Sequence, residues 1–262
     1  MIRSLFTAST GMIAQQMNID TIAHNLANVN TTGFKKSRVN FQDLLYETIK
    51  PAGTQTANGT TIPEGIQIGH GVRPSSIAKL HTQGGSIQTG NPFDLAIEGE
   101  GFFQISLPDG TTGYSRDGAF KVNAEGQVLT ADGYLLADNI VIPDDAEVVN
   151  IGPDGTVSVI QPGNVTTVVG NIELVRFPNP AGLDARLGRN LLLENDASGP
   201  PTPATPGLEG LGTLTQGFLE NSNVQVVEEI LQMIIAQRAY EANSKVIQTA
   251  DEMLQTANNV RR

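Results

Sequence analysis

The sequence has no cysteine and no tryptophan among its 262 residues. The missing cysteine excludes a disulfide framework, a thiolate metal site and a cysteine nucleophile, and an aromatic content of 5% disfavours a sugar-binding cleft. No apolar run approaches the roughly 20 residues of a membrane-spanning helix. The opening stretch, MIRSLFTASTGMIAQQMNID, is interrupted by polar side chains and has no A-x-A-like cleavage site. We therefore expect any export to use a route without a cleaved secretory signal.

Basic side chains are scarce in the middle of the chain. Residues 51–220 carry seven basic and nineteen acidic side chains, a net charge of −12, whereas residues 1–50 carry +2 and residues 221–262 carry −1. Nucleic-acid binding needs a basic surface, so this distribution argues against a nucleic-acid partner. One basic cluster can touch an anionic partner, or can cap a helix end and pair with acidic neighbours in an assembly. It comprises Lys35, Lys36 and Arg38.

Motifs of enzyme active sites are also missing. The three histidines, His24, His70 and His81, have no second histidine at metal-ligand spacing. Neither a P-loop nor a G-x-S-x-G motif occurs. We interpret the histidines as ordinary polar or partly buried positions.

Two carboxylate pairs are the remaining option for acid–base or glycosidic chemistry, namely Glu98 with Glu100 and Asp144 with Asp145. Turn-rich acidic sheets present such pairs by default, so we interpret them as a solvated surface. We predict no catalytic residue, no cofactor-binding residue, no metal ligand and no enzyme activity.

Apolar residues recur every seven positions at both ends of the chain. The N-terminal set predicts a helix over about residues 3–28 that ends near Thr31-Thr32-Gly33, with Gly33 as a left-handed cap. The C-terminal set predicts a helix over about 224–260, opened by an S-x-x-Q capping box at Ser222 and Gln225. We assign the polymerisation seam to these repeating positions: Leu5, Met12, Ile19, Leu26, Val226, Met233, Tyr240, Ile247 and Leu254.

These apolar stripes are more extensive than two helices can bury on one another. We therefore expect the helices to pair as a coiled coil and to need further neighbours, which indicates assembly.

Short β-branched runs separated by glycine turns fill the middle of the chain. Pro108-Asp109-Gly110 and Pro153-Asp154-Gly155 are the same turn, fit to connect strands. Asp117-Gly118, Glu125-Gly126 and Asp132-Gly133 are further hairpin signals. The pattern predicts an α+β, mainly β fold, in which an antiparallel β domain is inserted between the terminal helices.

Two stretches beside the β region look extended. Residues 50–74 are rich in glycine and threonine, and residues 195–213 are rich in proline and predict a semi-rigid connector. We predict three domains. A helical domain comprises 1–30 with 224–262, an extended connector domain comprises 31–74 with 207–223, and an outer β domain comprises 75–206.

The stretch IAHNLANVNTTGFKK joins the first helix to the connector. Asparagine side chains carry both a donor and an acceptor, which suits the end of a helix that meets neighbouring subunits. We predict a helix-end hinge formed by Asn25, Asn28, Thr32, Gly33 and Phe34.

Three blocks resemble the signature blocks of the bacterial flagellar axial proteins, the family of rod and hook subunits. They are IAHNLANVNTTGFKKSRVNFQDLL, FDLAIEGEGFFQISLPDGTTGYSRDGAFKVNAEGQVLTADGYLL and GFLENSNVQVVEEILQMIIAQRAYEANSKVIQTADEMLQ. The length and the connector YETIKPAGTQTANGTTIPEGIQIGHGVRP are most similar to the distal-rod branch of this family. One departure is His24, where the first block more often has asparagine.

The resemblance implies a structural subunit that polymerises helically into a hollow, rigid drive shaft in the flagellar basal body, spanning the periplasm to the outer membrane. The shaft would pass torque from motor to hook and exported subunits through its channel. Implied partners are further copies, proximal rod subunits, hook subunits, the surrounding periplasmic and outer-membrane ring proteins, and the flagellar type III export apparatus. The terminal helices would form an inner tube, and residues 50–74 would bridge subunits.

Other functions stay open at this stage. The nearest is another axial subunit, either a proximal rod protein or a short hook protein. A secreted acidic hydrolase that uses a carboxylate pair is a more remote alternative. An adhesive β module leaves the helical ends unexplained.

Overall fold

Two long helices flank the β-rich middle of the sequence in the computed structural model, which describes residues 2–53 and 63–260. Helix α1 spans Ile2–Ala27 and helix α2 spans Val226–Val260, close to the predicted bounds. Among the residues that the structure describes, neither helix is apolar enough over a sufficient length to cross a membrane. The mainly β fold with helices at both ends confirms the predicted class.

The helix ends differ from the prediction in two details. The first turn of α2 is closed by a hydrogen bond from the N–H of Glu229 to the carbonyl of Gln225. Ser222 lies outside the helix, where its hydroxyl accepts from the N–H of Val224, so the predicted capping box was wrong. Gly33 has a φ of +66°, the left-handed conformation expected. It lies beyond Thr31 and Thr32, too far from Ala27 to cap α1.

Both helices belong to one compact unit, made of residues 1–26, 37–78 and 225–262. They approach each other closely at Gly11, where an added Cβ would lie 2.8 Å from Nδ2 of Asn243. This unit also holds four short strands in two pairs, β1 with β4 and β2 with β3. The pair of β2 with β3 is antiparallel. The four strands are β1 (Ser37–Asp43), β2 (Tyr46–Lys50), β3 (Ile66–Gly69) and β4 (Val72–Lys79). The predicted coiled-coil pairing of α1 and α2 stays a prediction.

The second unit, residues 27–36 and 79–224, contains the remaining strands. Its first half holds β5 (Ser86–Gln88), β6 (Leu95–Glu98), β7 (Phe102–Ser106), β8 (Thr112–Ser115), β9 (Lys121–Val122), β10 (Val128–Leu129) and β11 (Leu135–Leu136). Its second half holds β12 (Val148–Ile151), β13 (Thr156–Gln161), β14 (Val165–Asn171), β15 (Leu174–Arg176), β16 (Leu191–Leu192), β17 (Thr202–Ala204), β18 (Thr213–Gln216) and β19 (Phe218–Glu220). A 3-10 turn spans Pro180–Gly182.

An eight-stranded sheet organises this β unit. Its main path runs β16-β8-β7-β11-β10-β9, with β15 also paired to β7 and β17 paired to β15. Strands β12, β13 and β14 form a second sheet, while β6 pairs with β18 and β5 pairs with β19. The ladders of this unit are antiparallel, as predicted.

Four of the five predicted turns connect paired strands. The two P-D-G turns join β7 to β8 and β12 to β13, and Glu125-Gly126 and Asp132-Gly133 join β9, β10 and β11. Asp117-Gly118 does not connect two paired strands. The chain after β8 instead forms an isolated bridge, between Ala119 and Asp94.

Strand β7 is buried on both faces, and this creates two cores. Phe103 and Ile105 face a large cluster that includes Leu95, Phe120 and Leu174. Phe102 faces a smaller cluster on the other side, with members Tyr114, Val175, Phe177, Leu183 and Leu192.

The proline-rich stretch 195–213 is not a linker. It contributes β17, which pairs with β15 of the large sheet, and Leu211 lies in the larger core. The prediction of a semi-rigid connector was therefore wrong, because apolar residues between the prolines pack on the sheet. Of the stretch 50–74, β3 and the start of β4 are ordered as strands, and residues 54–62 lie outside the described residues. The three predicted domain boundaries stay a prediction.

Candidate functional site

A buried ion triad joins three distant parts of the β unit. The Nζ of Lys35 lies 2.6 Å from Oε1 of Glu220, and the Nε of Arg116 lies 2.6 Å from Oε2 of the same carboxylate. The three side chains are at most 7% exposed. Lys35 comes from the segment after α1, Arg116 follows β8, and Glu220 ends β19.

Backbone groups satisfy much of the remaining hydrogen-bonding capacity of the triad. Lys35 donates to the carbonyl of Thr82 at 2.7 Å, and Glu220 accepts the N–H of Gly84 at 2.9 Å. The terminal nitrogens of Arg116 donate to three carbonyls around the start of β7, those of Ile97, Gly99 and Gly101. Buried charges persist only when they are paired and hydrogen-bonded in this way.

The environment shifts the pKa of both partners of the Lys35–Glu220 pair. Burial lowers the pKa of Lys35, and the hydrogen bond and charge of Glu220 oppose this only in part. Burial alone would raise the pKa of Glu220, but the charge of Arg116 and the hydrogen bonds from Lys35 and Gly84 outweigh it and hold the pKa below its usual range. The carboxylate is therefore ionised at neutral pH.

The segment that carries Lys35 is fixed to the β unit on both sides of Gly33. The N–H of Gly33 donates to the carbonyl of Glu220 at 2.8 Å, and the hydroxyl of Thr32 donates to Oδ1 of Asp117 at 3.0 Å. An added Cβ on Gly33 would lie 2.7 Å from the backbone of Arg116. Glycine at this position therefore lets two backbone segments approach closely.

Asn25 connects the end of α1 to β1 and α2 within the helical unit. Its Nδ2 donates to the carbonyl of Ser37 at 2.9 Å and to Oε2 of Glu229 at 3.1 Å, and its Oδ1 accepts the N–H of Ser37 at 2.9 Å. The side chain is 2% exposed. One asparagine therefore uses its donor and its acceptor to fix the strand that follows the helix.

The other predicted hinge residues form a turn. The Oδ1 of Asn28 accepts the hydroxyl of Thr31, and the N–H of Phe34 donates to the carbonyl of Thr31. The carbonyl of Phe34 accepts the N–H of Asn223.

The predicted seam residues of α1 are all half-buried, as are Met233, Ile247 and Leu254 of α2, while Val226 and Tyr240 are exposed. Small and polar residues are buried more deeply in the same helices, including Ala8, Ala14, Ala236 and Ala250. The assignment of the larger residues to a polymer seam stays a prediction.

The predicted candidates for chemistry are dispersed over the surface. His24 and His70 are exposed, and so are the members of the two carboxylate pairs. Glu100 forms an exposed ion pair with Arg176, and Asp145 accepts a hydrogen bond from Gln161. Within residues 2–53 and 63–260, no group of three or more acidic or histidine side chains is arranged to hold a metal ion.

Sequence reasoning missed Arg116 and Glu220. The basic cluster at Lys35 was singled out, but as a contact to an anionic partner or to acidic neighbours in an assembly, whereas Lys35 pairs with Glu220 of the same chain. No local signal marked Glu220, which directly follows Phe218 and Leu219 at the end of the short strand FLE.

Comparisons with protein families identify three matching regions. Residues 5–35 match the flagella basal body rod protein model, residues 96–159 match the flagellar hook protein FlgE/F/G D1 domain, and residues 215–260 match the C-terminal region of the flagellar basal body rod FlgEFG proteins. The first and third regions contain Asn25, Lys35, Glu220 and most of α2, and the second contains Arg116.

Full-length relatives make the assignment more specific. The chain is 49% identical to the flagellar basal-body rod protein FlgG of Buchnera aphidicola subsp. Acyrthosiphon pisum, over 97% of this chain and 98% of the relative. It is 48% identical to FlgG of Caulobacter vibrioides, over 99% and 100% of the two chains. FlgF of the same Caulobacter strain is more distant, at 34% identity over 98% of this chain and 97% of the relative. The chain therefore belongs to the flagellar basal-body rod protein family, as a structural subunit of the distal rod and not as an enzyme.

Proposed function

We propose that the chain builds the distal rod by helical self-assembly through its terminal helices. The observation that carries the proposal is a set of large apolar side chains left exposed on both helices. Exposed apolar surface of this extent marks an interaction surface, because its burial against a neighbour is favourable. The set comprises Ile2, Phe6 and Ile13 of α1 and Val227, Leu231, Ile234 and Ile235 of α2.

The assembled tube would act as a hollow, rigid drive shaft. It would transmit torque from motor to hook and let exported subunits pass through its channel, with the helices inside and the β unit outside. Its location would span the periplasm to the outer membrane after export by the flagellar type III apparatus without a cleaved signal. Proximal rod subunits, hook subunits and the surrounding ring proteins would be its partners.

The paired strands β2 and β3 support a bridging role for residues 50–74. Their apolar side chains Tyr46, Ile49, Ile66 and Ile68 are exposed, which suits contact with a neighbouring subunit. Such bridges would stiffen the tube, and straight rather than curved polymers in electron micrographs would support this role.

The seam assignment is tested by Met233→Asp. A charge placed in an apolar interface is strongly unfavourable, so we expect this variant to stay monomeric while its β unit keeps the wild-type circular dichroism and thermal unfolding. Met233→Leu is the matched control, because it keeps an apolar side chain of similar volume at the same position, and it should assemble like the wild type. Normal rods from Met233→Asp, seen by electron microscopy, would refute the assignment.

A further inference from the structure

A small cavity of about 60 Å³ lies beside the ion triad in the β unit. Its polar lining includes Lys35, His81 and Arg116, and its apolar lining includes Phe102, Phe177 and Pro180. The ring of His81 packs edge-on against Phe102 with centroids 5.6 Å apart. A cavity of this size has room for more than one water molecule or for one small polar group.

Three unused hydrogen-bond donors belong to side chains that line this cavity. Both ring nitrogens of His81 are buried and form no hydrogen bond of good geometry, although the carbonyl of Pro180 lies near enough to favour the protonated ring. Lys35 uses two of its three ammonium hydrogens, and Arg116 donates four bonds from five N–H groups. A buried donor left unsatisfied is unfavourable, so this arrangement favours an acceptor in the cavity.

The surrounding charge favours a negatively charged acceptor. Lys35 and Arg116 share the single carboxylate of Glu220, which leaves one positive charge in excess. Lys79 adds another, since it forms no ion pair within the described part of the chain and lies close enough to act on His81. Burial, followed by the charges of Lys35, Lys79 and Arg116, lowers the pKa of His81 to about 4, and the carbonyl of Pro180 opposes this shift.

We propose that this cavity binds one small oxyanion group, held by His81, Lys35 and Arg116. The group is either a free inorganic anion such as phosphate or the carboxylate of an acidic side chain from a second copy of this chain. The acidic middle of the sequence makes such carboxylates abundant on every copy. At the rim, Arg176 pairs with Glu100 at 3.1 Å and both side chains are more than half exposed, so an incoming anion can compete with Glu100 for Arg176.

The small number of histidines makes a direct test possible. We would label histidine in the full chain, assign its three ring resonances with His24→Gln and His70→Gln, and titrate the monomer with inorganic phosphate. The expected result is a saturable shift of the His81 resonance and a rise in the pKa of His81, because a bound anion favours the imidazolium. An absent shift, or equal shifts of His70 and His81, would overturn the proposal.

Charge variants test whether the surrounding cations supply the affinity. Lys79→Gln removes one charge near the cavity, and we expect about fivefold weaker phosphate binding. Lys121→Gln is the matched control, since Lys121 is an exposed lysine of the same unit, and it should bind phosphate like the wild type. Equal affinities of Lys79→Gln and the wild type would contradict the electrostatic part of the proposal.

Solid-state NMR of the assembled polymer distinguishes the two sources. A shifted His81 resonance in phosphate-free polymer assigns the group to a second copy, whereas a shift only after phosphate is added assigns a free anion. The second-copy source rests on the proposed self-assembly. Phosphate binding by the monomer does not, so the two proposals can fail separately.

Discussion

The Nε of Arg116 lies 2.6 Å from Oε2 of Glu220, and both side chains are almost inaccessible to solvent. The other oxygen of this carboxylate binds Lys35 at 2.6 Å. Removal of the carboxylate charge would leave two buried cations without a counter-charge. We therefore expect Glu220→Gln to lower the free energy of unfolding of the β unit by about 3–5 kcal/mol.

Urea unfolding followed by circular dichroism measures this effect. Glu100→Gln is the matched control, because it removes an exposed ion pair, with Arg176, that is worth at most about 1 kcal/mol. Equal stabilities of the two variants would contradict the structural importance of the triad.

Gly33 offers a second test of how the segment after α1 is attached. Gly33→Ala introduces both a left-handed φ for a residue with a Cβ and a contact of 2.7 Å with the backbone of Arg116. We expect a loss of more than about 2 kcal/mol in unfolding free energy, because the clash adds to the conformational cost.

Alanine variants of two other glycines separate the conformational cost of a left-handed φ from the cost of the backbone clash. Gly133 has a φ of +85° with open space around its Cβ position, and Gly85 has open space and no positive φ. Gly133→Ala should therefore cost about 1 kcal/mol and Gly85→Ala almost nothing. Thermal unfolding of the three variants should give this order, and a Gly33→Ala protein as stable as Gly133→Ala would exclude the backbone contact.

Local patterns in the sequence predicted much of the fold. Seven-residue apolar periodicity placed both helices within two residues of their observed ends. The P-D-G turns predicted their hairpins, because turn chemistry depends on adjacent residues. The prediction for the proline-rich stretch was wrong, since β17 and Leu211 are held by contacts with β15 and the core rather than by local preference.

The triad was not predictable by the same means. Lys35 and Glu220 are 185 positions apart in the chain, and Arg116 follows a strand in a turn-rich region where arginine is usually exposed. Only the three-dimensional pairing of β19 with β5, and the attachment of residues 27–36, bring these charges together. His81 likewise had no partner in the sequence pattern. Its environment depends on Phe102 and on the charges of Lys35 and Arg116, which are distant from His81 only in the sequence.

Asn25 should be sensitive to charge. Asn25→Asp places a second carboxylate beside Glu229, which is 6% exposed, and removes the donor to the carbonyl of Ser37. Asp keeps the oxygen that accepts the Ser37 N–H, so the local cost of about 1–3 kcal/mol acts by favouring opening of this contact. It should speed hydrogen exchange of the Ser37 amide by about 5- to 150-fold. Asn28→Asp is the control, because Asp keeps the acceptor for the Thr31 hydroxyl. Unchanged exchange at Ser37 in Asn25→Asp would contradict this role of the side chain.

Two half-buried titratable groups, His81 and Asp138, should make the stability of the β unit depend on pH with opposite signs. Burial lowers the pKa of His81 to about 4 from an ordinary value of 6.5. Below pH 6.5 the imidazole of His81 binds a proton in the unfolded chain but not in the folded chain. His81 therefore lowers the free energy of unfolding as the pH falls from 6.5 to 4. Burial raises the pKa of Asp138 to about 6 from 3.8. The folded chain then takes up the proton first, so this group raises stability as the pH falls from 6 to 3.8.

Variants separate the two effects, which partly cancel in the wild type. In phosphate-free buffer, the stability of the wild type relative to His81→Gln should fall by about 2–3 kcal/mol between pH 6.5 and 4. Relative to Asp138→Asn it should rise by a comparable amount between pH 6 and 3.8, because the variant lacks the group whose protonation stabilises the fold. Urea unfolding at a series of pH values gives both differences. Parallel pH profiles for the wild type and His81→Gln would mean that His81 titrates normally and that its ring is hydrated in the folded protein.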